Sequence, residues 1–71
     1  MRLADMKDNE EGILVRFEDE SLAVKLMAMG VLPGSRLTII RRNGFGKTLY
    51  VKVDQMHLAI RKKEAECIEL K

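Results

Sequence analysis

The spacing of apolar residues along the chain follows two different periods, and each period predicts a different kind of element. In residues 48–53 and 56–61, apolar side chains occupy every second position, which is typical of a strand with one buried face. Residues 12–17, 36–42 and 67–70 are rich in apolar and β-branched residues and predict three more strands. In residues 22–29 the apolar side chains recur three and four positions apart, which predicts one short helix between the first and second strands.

Both ends of the predicted helix carry recognisable signals. Asp19 or Ser21 can cap its start, because a short polar side chain accepts a hydrogen bond from a free backbone N–H of the first turn. Residues 25–34 read KLMAMGVLPG, in which Gly30 can adopt the left-handed conformation that ends a helix. Pro33 and Gly34 then predict a turn that leads into the second strand.

The predicted helix is apolar on nearly all sides, which is more than a small sheet can cover. Leu22, Leu26 and Met29 share one side and are expected to pack on the strands. The other apolar residues would then form a contiguous outward patch, and such patches mark interaction sites. We therefore predict that a partner, or a second copy of the chain, binds at a surface formed by Ala23, Val24, Met27, Ala28, Val31 and Leu32.

Five short strands and one helix within 71 residues limit the architecture. A small antiparallel sheet exposes its edges unless it curls and closes. We predict a mainly β fold, with residues 1–71 as one domain: a small five-stranded SH3-like barrel with one short helix between strands 1 and 2. Leu3 and Met6 are expected to fix the leading segment to the core, and residues 62–65 are expected to form a short helical turn.

Composition narrows the class of protein and its expected location. The formal net charge is only +2 and hydrophobic residues make up 46% of the chain, so it is neither a polyelectrolyte nor a disordered segment. Cys67 is the lone cysteine, which excludes a disulfide within one chain and favours a reducing compartment. No apolar run approaches the ~20 residues that cross a bilayer. We expect a cytoplasmic protein with no direct membrane insertion.

Candidate catalytic and metal-binding residues are few. His57, the only histidine, alternates with apolar neighbours on a predicted strand and is expected to face solvent. Cys67 would act as a nucleophile only with a base beside it, so a His57–Cys67 pair stays open but is disfavoured. One histidine and one cysteine cannot supply a zinc site, and the acidic residues 18–20 are typical of a solvated helix start. We predict no enzyme activity, no cofactor and no tight metal site.

A basic surface is the main alternative to a protein-binding role. Small barrels bind nucleic acid through such surfaces, although only three aromatic residues are present to stack on bases. Cations on a strand face also discourage edge pairing without binding any ligand. Nucleic acid is therefore the alternative partner, and its candidate contacts are Arg36, Arg41, Arg42, Lys47, Lys52, Arg61, Lys62 and Lys63.

Several motifs, in their order along the chain, resemble the FeoA family, the small cytosolic companions of the ferrous iron transporter FeoB. Leu3 and Gly12 stand where that family has its leading leucine and the glycine before its first strand. Residues 25–34 resemble its signature, a basic residue and Leu followed by Leu or Met, Gly, a hydrophobic residue and Pro-Gly. Residues 42–46 (RNGFG) are similar to its loop, and residues 58–65 (LAIRKKEA) to its closing motif.

The loop departs from the family pattern at two positions. Thr48 or its neighbour replaces a proline, and Lys47 replaces an acidic residue. These changes affect contacts of the loop rather than the fold.

This resemblance implies an SH3-like barrel, a cytoplasmic location and a role in ferrous iron uptake. It implies binding to the cytosolic domain of a FeoB-type transporter rather than chemistry, with only a weak or indirect link to Fe(II) itself. A homo-oligomer formed through the exposed helix is left open as an alternative to the transporter contact.

Overall fold

The computed structural model describes residues 1–71 as a five-stranded antiparallel sheet with the strand order β4-β3-β2-β1-β5. One nine-residue helix is inserted between the first two strands, as the sequence predicts, and the SH3-like, mainly β fold class is confirmed. The elements are β1 (Glu11–Phe17), α1 (Glu20–Ala28), β2 (Arg36–Asn43), β3 (Thr48–Val53), β4 (Met56–Arg61), α2 (Lys62–Ala65) and β5 (Ile68–Leu70), preceded by a 3-10 turn at Leu3–Asp5.

β1 joins the two parts of the sheet, because its two halves pair with different strands. Residues 11–13 pair with β2, and residues 14–17 pair with β5 across a β-bulge. Gly12 lies where β5 passes closely: a Cβ atom there would be 3.2 Å from Cβ of Leu70 and 3.3 Å from the carbonyl oxygen of Lys71. Bulges increase the local twist of a sheet. The sheet therefore curls at β1 and encloses a core.

The core lies inside this curled sheet and is closed by the leading segment and the two helices. The alternation in residues 48–53 is confirmed, since Leu49, Val51 and Val53 are all buried. Leu3 and Met6 are also buried, as expected of residues that fix the leading segment. The buried apolar residues are Leu3, Met6, Leu14, Leu22, Leu26, Val31, Leu37, Ile39, Leu49, Val51, Val53, Ile60, Ala65, Ile68 and Leu70.

β4 is less deeply buried than its alternating pattern predicts. Ile60 is buried, but Met56 and Leu58 are only half-buried. β4 is an edge strand of the sheet, so one side of it has no neighbouring strand to cover these side chains.

No helix has the length and hydropathy needed to span a bilayer.

Candidate partner-binding surface

The outward side of α1 carries the apolar side chains that the sequence assigns to partner binding. Val24 is 70% exposed, Met27 44% and Leu32 45%, while Ala28 is exposed and Ala23 is half-buried. These residues are three and four positions apart, so they lie on one side of the helix and continue into the following segment. We call Ala23, Val24, Met27, Ala28 and Leu32 the outer face of α1.

The inward side of α1 is narrow. Only Leu22 and Leu26, at 6% and 4% exposure, are buried in the core. Met29 was expected to cover the barrel with them, but this prediction is wrong: it is 44% exposed. Met29 is the residue at which α1 ends, where the backbone leaves the helical conformation and no longer places its side chain over Leu22 and Leu26.

The start of α1 is fixed by a cap. The side chain of Asp19 accepts a hydrogen bond from the backbone N–H of Leu22 at 2.8 Å, so Asp19 rather than Ser21 is the capping residue. This bond satisfies one of the backbone donors that a helix leaves free in its first turn.

The end of α1 corrects one predicted contact residue, because Val31 is fully buried. The N–H of Val31 donates to the carbonyl of Leu26, and the N–H of Gly30 donates to that of Met27, both at 3.0 Å. With Gly30 at a φ of +92°, these bonds form a Schellman motif, in which the residue after the glycine packs back against the last turn. Val31 therefore belongs to the core and not to the partner-binding surface.

Leu32 is held outward by the turn that follows. Pro33 and Gly34 occupy the centre of this turn, and Gly34 has a φ of +95°. The N–H of Ser35 donates to the carbonyl of Leu32 at 2.8 Å, and the N–H of Leu32 donates to Oγ of Ser35 at 3.0 Å. Because the N–H and the carbonyl of Leu32 are both bonded within the turn, the backbone holds its exposed side chain in a fixed position beside the helix.

A crevice of about 330 Å³ separates α1 from α2 and contains Cys67. Nζ of Lys25 and Oε2 of Glu64 bridge the two helices at 3.2 Å. Partial burial acts to raise the pKa of Glu64, but hydrogen bonds from the backbone N–H of Arg61 and from Lys25 outweigh it, so the pKa lies below its ordinary value of 4.5. The carboxylate of Glu64 thus connects α1 to the end of the sheet.

The structure does not bring His57 and Cys67 together. His57 is exposed on β4 and lines a shallow depression on the sheet with Tyr50 and Leu58, whereas Cys67 lies in the crevice between the helices. Sγ of Cys67 is 3.7 Å from the carbonyl oxygen of Lys63. No three of the His, Cys, Asp and Glu side chains are arranged so that they could hold a metal ion.

The predicted basic surface divides into paired and unpaired cations. Nη1 of Arg36 lies 3.0 Å from Oε1 of Glu11, and Nη1 of Arg42 lies 2.8 Å from Oδ1 of Asp8. The guanidinium of Arg41 stacks over the ring of Tyr50 at 4.2 Å. Lys52 lies apart, beside Arg36 in a small depression. The other four line one groove, of about 660 Å³, next to Phe45: Lys47, Arg61, Lys62 and Lys63.

Phe45 is not among the residues assigned to a site from the sequence, although its ring is fully exposed. The signal available in the sequence was the order Gly-Phe-Gly between two strands, because flanking glycines permit a left-handed turn that turns a side chain outward.

Comparison with known proteins gives one family and a consistent fold. The family model for the FeoA domain matches residues 1–71. A comparison with curated protein sequences found no match. Among solved structures, the FeoA protein of Chlorobium tepidum superimposes with a TM-score of 0.91 at 25% identity, covering 99% of this chain and 68% of that one.

Two further solved structures share the fold. Iron(II) transport protein A of Clostridium thermocellum gives a TM-score of 0.89 at 28% identity, covering 100% of this chain and 44% of that one. The FeoA of Stenotrophomonas maltophilia complexed with zinc, described as a prokaryotic SH3 domain protein, gives 0.86 at 20% identity, covering 100% and 89%.

Proposed function

The chain belongs to the FeoA family, and from that premise we propose that it is a non-enzymatic accessory protein of ferrous iron uptake. In this proposal it works in the cytoplasm and binds the cytosolic domain of a FeoB-type transporter through the outer face of α1. Fe(II) is then the cargo of the transporter, and the outer face itself contains no histidine, cysteine or carboxylate side chain. Support for the process comes from the similar structure of an iron(II) transport protein.

The observation that carries the proposal is the distribution of apolar side chains around α1. Only Leu22 and Leu26 of the helix are buried in the core, while Val24, Met27 and Leu32 remain 70%, 44% and 45% exposed. Scattered apolar residues on a surface need no explanation, but a contiguous group on one helix indicates a contact site. The flexible thioether of Met27 suits it to an irregular partner surface.

The size of the surface indicates a reversible complex. If about 400 Å² were buried on each partner, the gross gain would be about 20 kcal/mol at about 25 cal/mol per Å². Lost rotational and translational freedom and the ordering of side chains offset most of this gain. We expect micromolar affinity, which suits a regulator of transport better than a permanent subunit.

Two substitutions on the outer face test the proposal by calorimetric titration with the cytosolic domain of the transporter. Val24→Lys places a cation four residues after Glu20, where an ion pair supports the helix while the apolar surface is interrupted. Met27→Asp removes the thioether and adds a charge. Each variant is expected to bind about tenfold or more weakly, as for residues at the centre of an interface.

Ile40→Lys provides the matched control, because Ile40 is an apolar residue of β2 with 41% exposure, away from α1. It is expected to bind like the unchanged chain. If Val24→Lys is folded and also binds like the unchanged chain, α1 is not the contact.

A second copy of the chain is the other candidate occupant of the outer face. Sedimentation velocity of the chain alone separates the two. We expect a monomer at the concentrations of the titration, and a dimer that Val24→Lys dissociates would assign the outer face to self-association instead.

A further inference from the structure

Phe45 is held in an unfavourable position by the loop between β2 and β3. Gly44, Phe45 and Gly46 have φ values of +60°, +59° and +83°, so three consecutive residues are left-handed. A bulky residue rarely adopts this conformation, and it costs about 1–2 kcal/mol. The ring is also fully exposed to water. Strain and exposure at the same residue indicate that this ring has a partner.

The cations beside Phe45 are free, in contrast to Arg36 and Arg42 on the neighbouring strand β2. Lys47, Arg61, Lys62 and Lys63 line the same groove as Phe45 and form no ion pair, whereas Arg36 and Arg42 each contact a carboxylate. Glu66 is the one acidic residue that lines the groove.

The two walls of the groove are fixed to each other. The backbone N–H of Lys62, at the start of α2, donates to the carbonyl oxygen of Lys47 in the loop at 2.8 Å. The turn itself is closed by two further bonds, from the N–H of Gly46 to the carbonyl of Asn43 and from the N–H of Lys47 to that of Gly44, both at 3.1 Å. The backbone segments that carry Phe45 and the four cations are therefore held in fixed positions relative to one another.

We propose that this surface binds the face of an anionic phospholipid bilayer. The ring of Phe45 enters the boundary between headgroups and acyl chains, while the lysine and arginine side chains contact the lipid phosphates around it. A projecting aromatic ring surrounded by long cationic side chains matches this boundary. The lysine and arginine side chains keep their charges at headgroup level, while their methylene groups and the ring are shielded from water. The contact is peripheral, with no element crossing the bilayer.

The geometry favours lipid over single-stranded nucleic acid. Binding of a nucleic acid strand uses several aromatic rings on which successive bases stack. Phe45 is the only aromatic residue of the groove, and Tyr50, on the sheet, is covered by Arg41. A single protruding ring gives one point of insertion, whereas it could stack on only one base of a strand.

Co-sedimentation of the full chain with vesicles tests the proposal without any transporter, so its outcome is independent of the function proposed above. Vesicles of phosphatidylglycerol and phosphatidylethanolamine in equal parts are compared with vesicles of phosphatidylcholine alone. Binding is expected only to the anionic vesicles. Phe45→Asn, which tolerates the left-handed backbone, is expected to weaken it about tenfold. The double variant Lys62→Gln with Lys63→Gln is expected to weaken it about 25-fold, at about fivefold per cation.

Lys7→Gln with Lys52→Gln is the charge-matched control, because both residues are exposed lysines that do not line the groove. Its binding is expected to fall less than about threefold, because salt largely screens charges that lie farther than about one Debye length from the lipid phosphates. Equal losses in the control and in the Lys62/Lys63 variant would overturn the proposal. So would failure of the unchanged chain to sediment with anionic vesicles, whether or not it retards single-stranded DNA through the same residues.

Phe45→Trp reports on the ring directly, since the chain contains no tryptophan. Its emission is expected to shift to shorter wavelength with anionic vesicles and to stay unchanged with phosphatidylcholine. Binding without this shift would show that the ring stays in water and would overturn the proposed insertion.

Discussion

The outer face of α1 and the tip of the β2–β3 loop both expose apolar side chains, but they do so in different ways. On α1 the exposure is spread over several residues of a regular, capped helix, and the end of the helix is closed by a left-handed glycine. In the loop it is concentrated in Phe45, which itself takes the left-handed conformation and is surrounded by unpaired cations. Two apolar surfaces of one small domain can therefore be suited to different partners, an apolar protein surface and a charged bilayer.

The dependence of binding on salt concentration is expected to differ most strongly between the two surfaces. Raising the ionic strength from about 0.1 M to about 1 M shortens the Debye length from about 10 Å to about 3 Å. We expect vesicle binding to fall more than tenfold over this range, because it depends on cations near lipid phosphates. Binding to the transporter domain, measured by the same titration as above, is expected to change less than about twofold to threefold, because burial of apolar surface is not screened.

Either of two outcomes would contradict this expected difference in salt dependence. If vesicle binding does not change with salt concentration, it depends on Phe45 alone and not on the cations. A transporter titration as steep in salt as vesicle binding would indicate that the transporter is bound by the basic groove and not by the outer face of α1.

Two glycine substitutions, which are expected to have effects of intermediate magnitude, test the two surfaces separately. An added Cβ atom at Gly30 or at Gly46 would meet no atom within 4 Å, and the residues have φ values of +92° and +83°. Each Gly→Ala change is therefore expected to cost only the left-handed strain, about 1 kcal/mol of the free energy of unfolding. Denaturant unfolding measures this cost.

The two glycine variants are controls for each other in binding. Gly30→Ala is expected to weaken binding to the transporter domain, since it disturbs the turn that places Leu32, and to leave vesicle binding unchanged. Gly46→Ala is expected to do the reverse by moving Phe45. If both variants affect both ligands equally, the two surfaces are not independent.

The smallest expected effect concerns the contact between α1 and α2. The pKa of Glu64 is lowered in the folded chain, so its contribution to stability is complete above its ordinary value of 4.5 and is lost as the pH falls below it. Glu64→Gln removes this dependence, so its free energy of unfolding is expected to fall less steeply than that of the unchanged chain below this pH. The difference is expected to stay under about 1 kcal/mol, because the pair is partly exposed to solvent.

Urea unfolding at a series of acidic pH values measures this difference. Lys25→Met is the second arm, since it removes the ammonium group that donates a hydrogen bond to the same carboxylate. Parallel pH profiles for Glu64→Gln and the unchanged chain would contradict a lowered pKa.

Local patterns determine much of this fold, and the errors occur where tertiary packing decides. Residues 48–53 and 56–61 form strands with the predicted bounds, because alternation reports one buried face directly. Val31 was misassigned because it was placed with Leu32 beside the outward patch, whereas the chain turns back into the core directly after Gly30. Helix periodicity applies only up to the last helical residue, and the glycine that ends α1 marks that limit.

The candidate sites depend even more on contacts that sequence does not show. Arg36 and Lys62 are both exposed cations of the basic half of the chain, yet Arg36 forms an ion pair with Glu11, diagonally across the β1–β2 pair, and Lys62 forms none. Distinguishing them requires the strand register. The apolar group on α1 was visible in the sequence because four of its members lie on one short helix and Leu32 follows shortly after it.

The segment that carries α1 begins and ends at the same strand, β1. The chain departs after the end of β1 and comes back to the middle of the same strand, where Gly34 and Ser35 bond to the backbone of Leu14 at 2.8 and 2.9 Å. The intervening residues form a closed excursion that contributes only Leu22, Leu26 and Val31 to the interior. Such an insert is modular, because substitutions at its outward positions leave the buried contacts of the sheet unchanged.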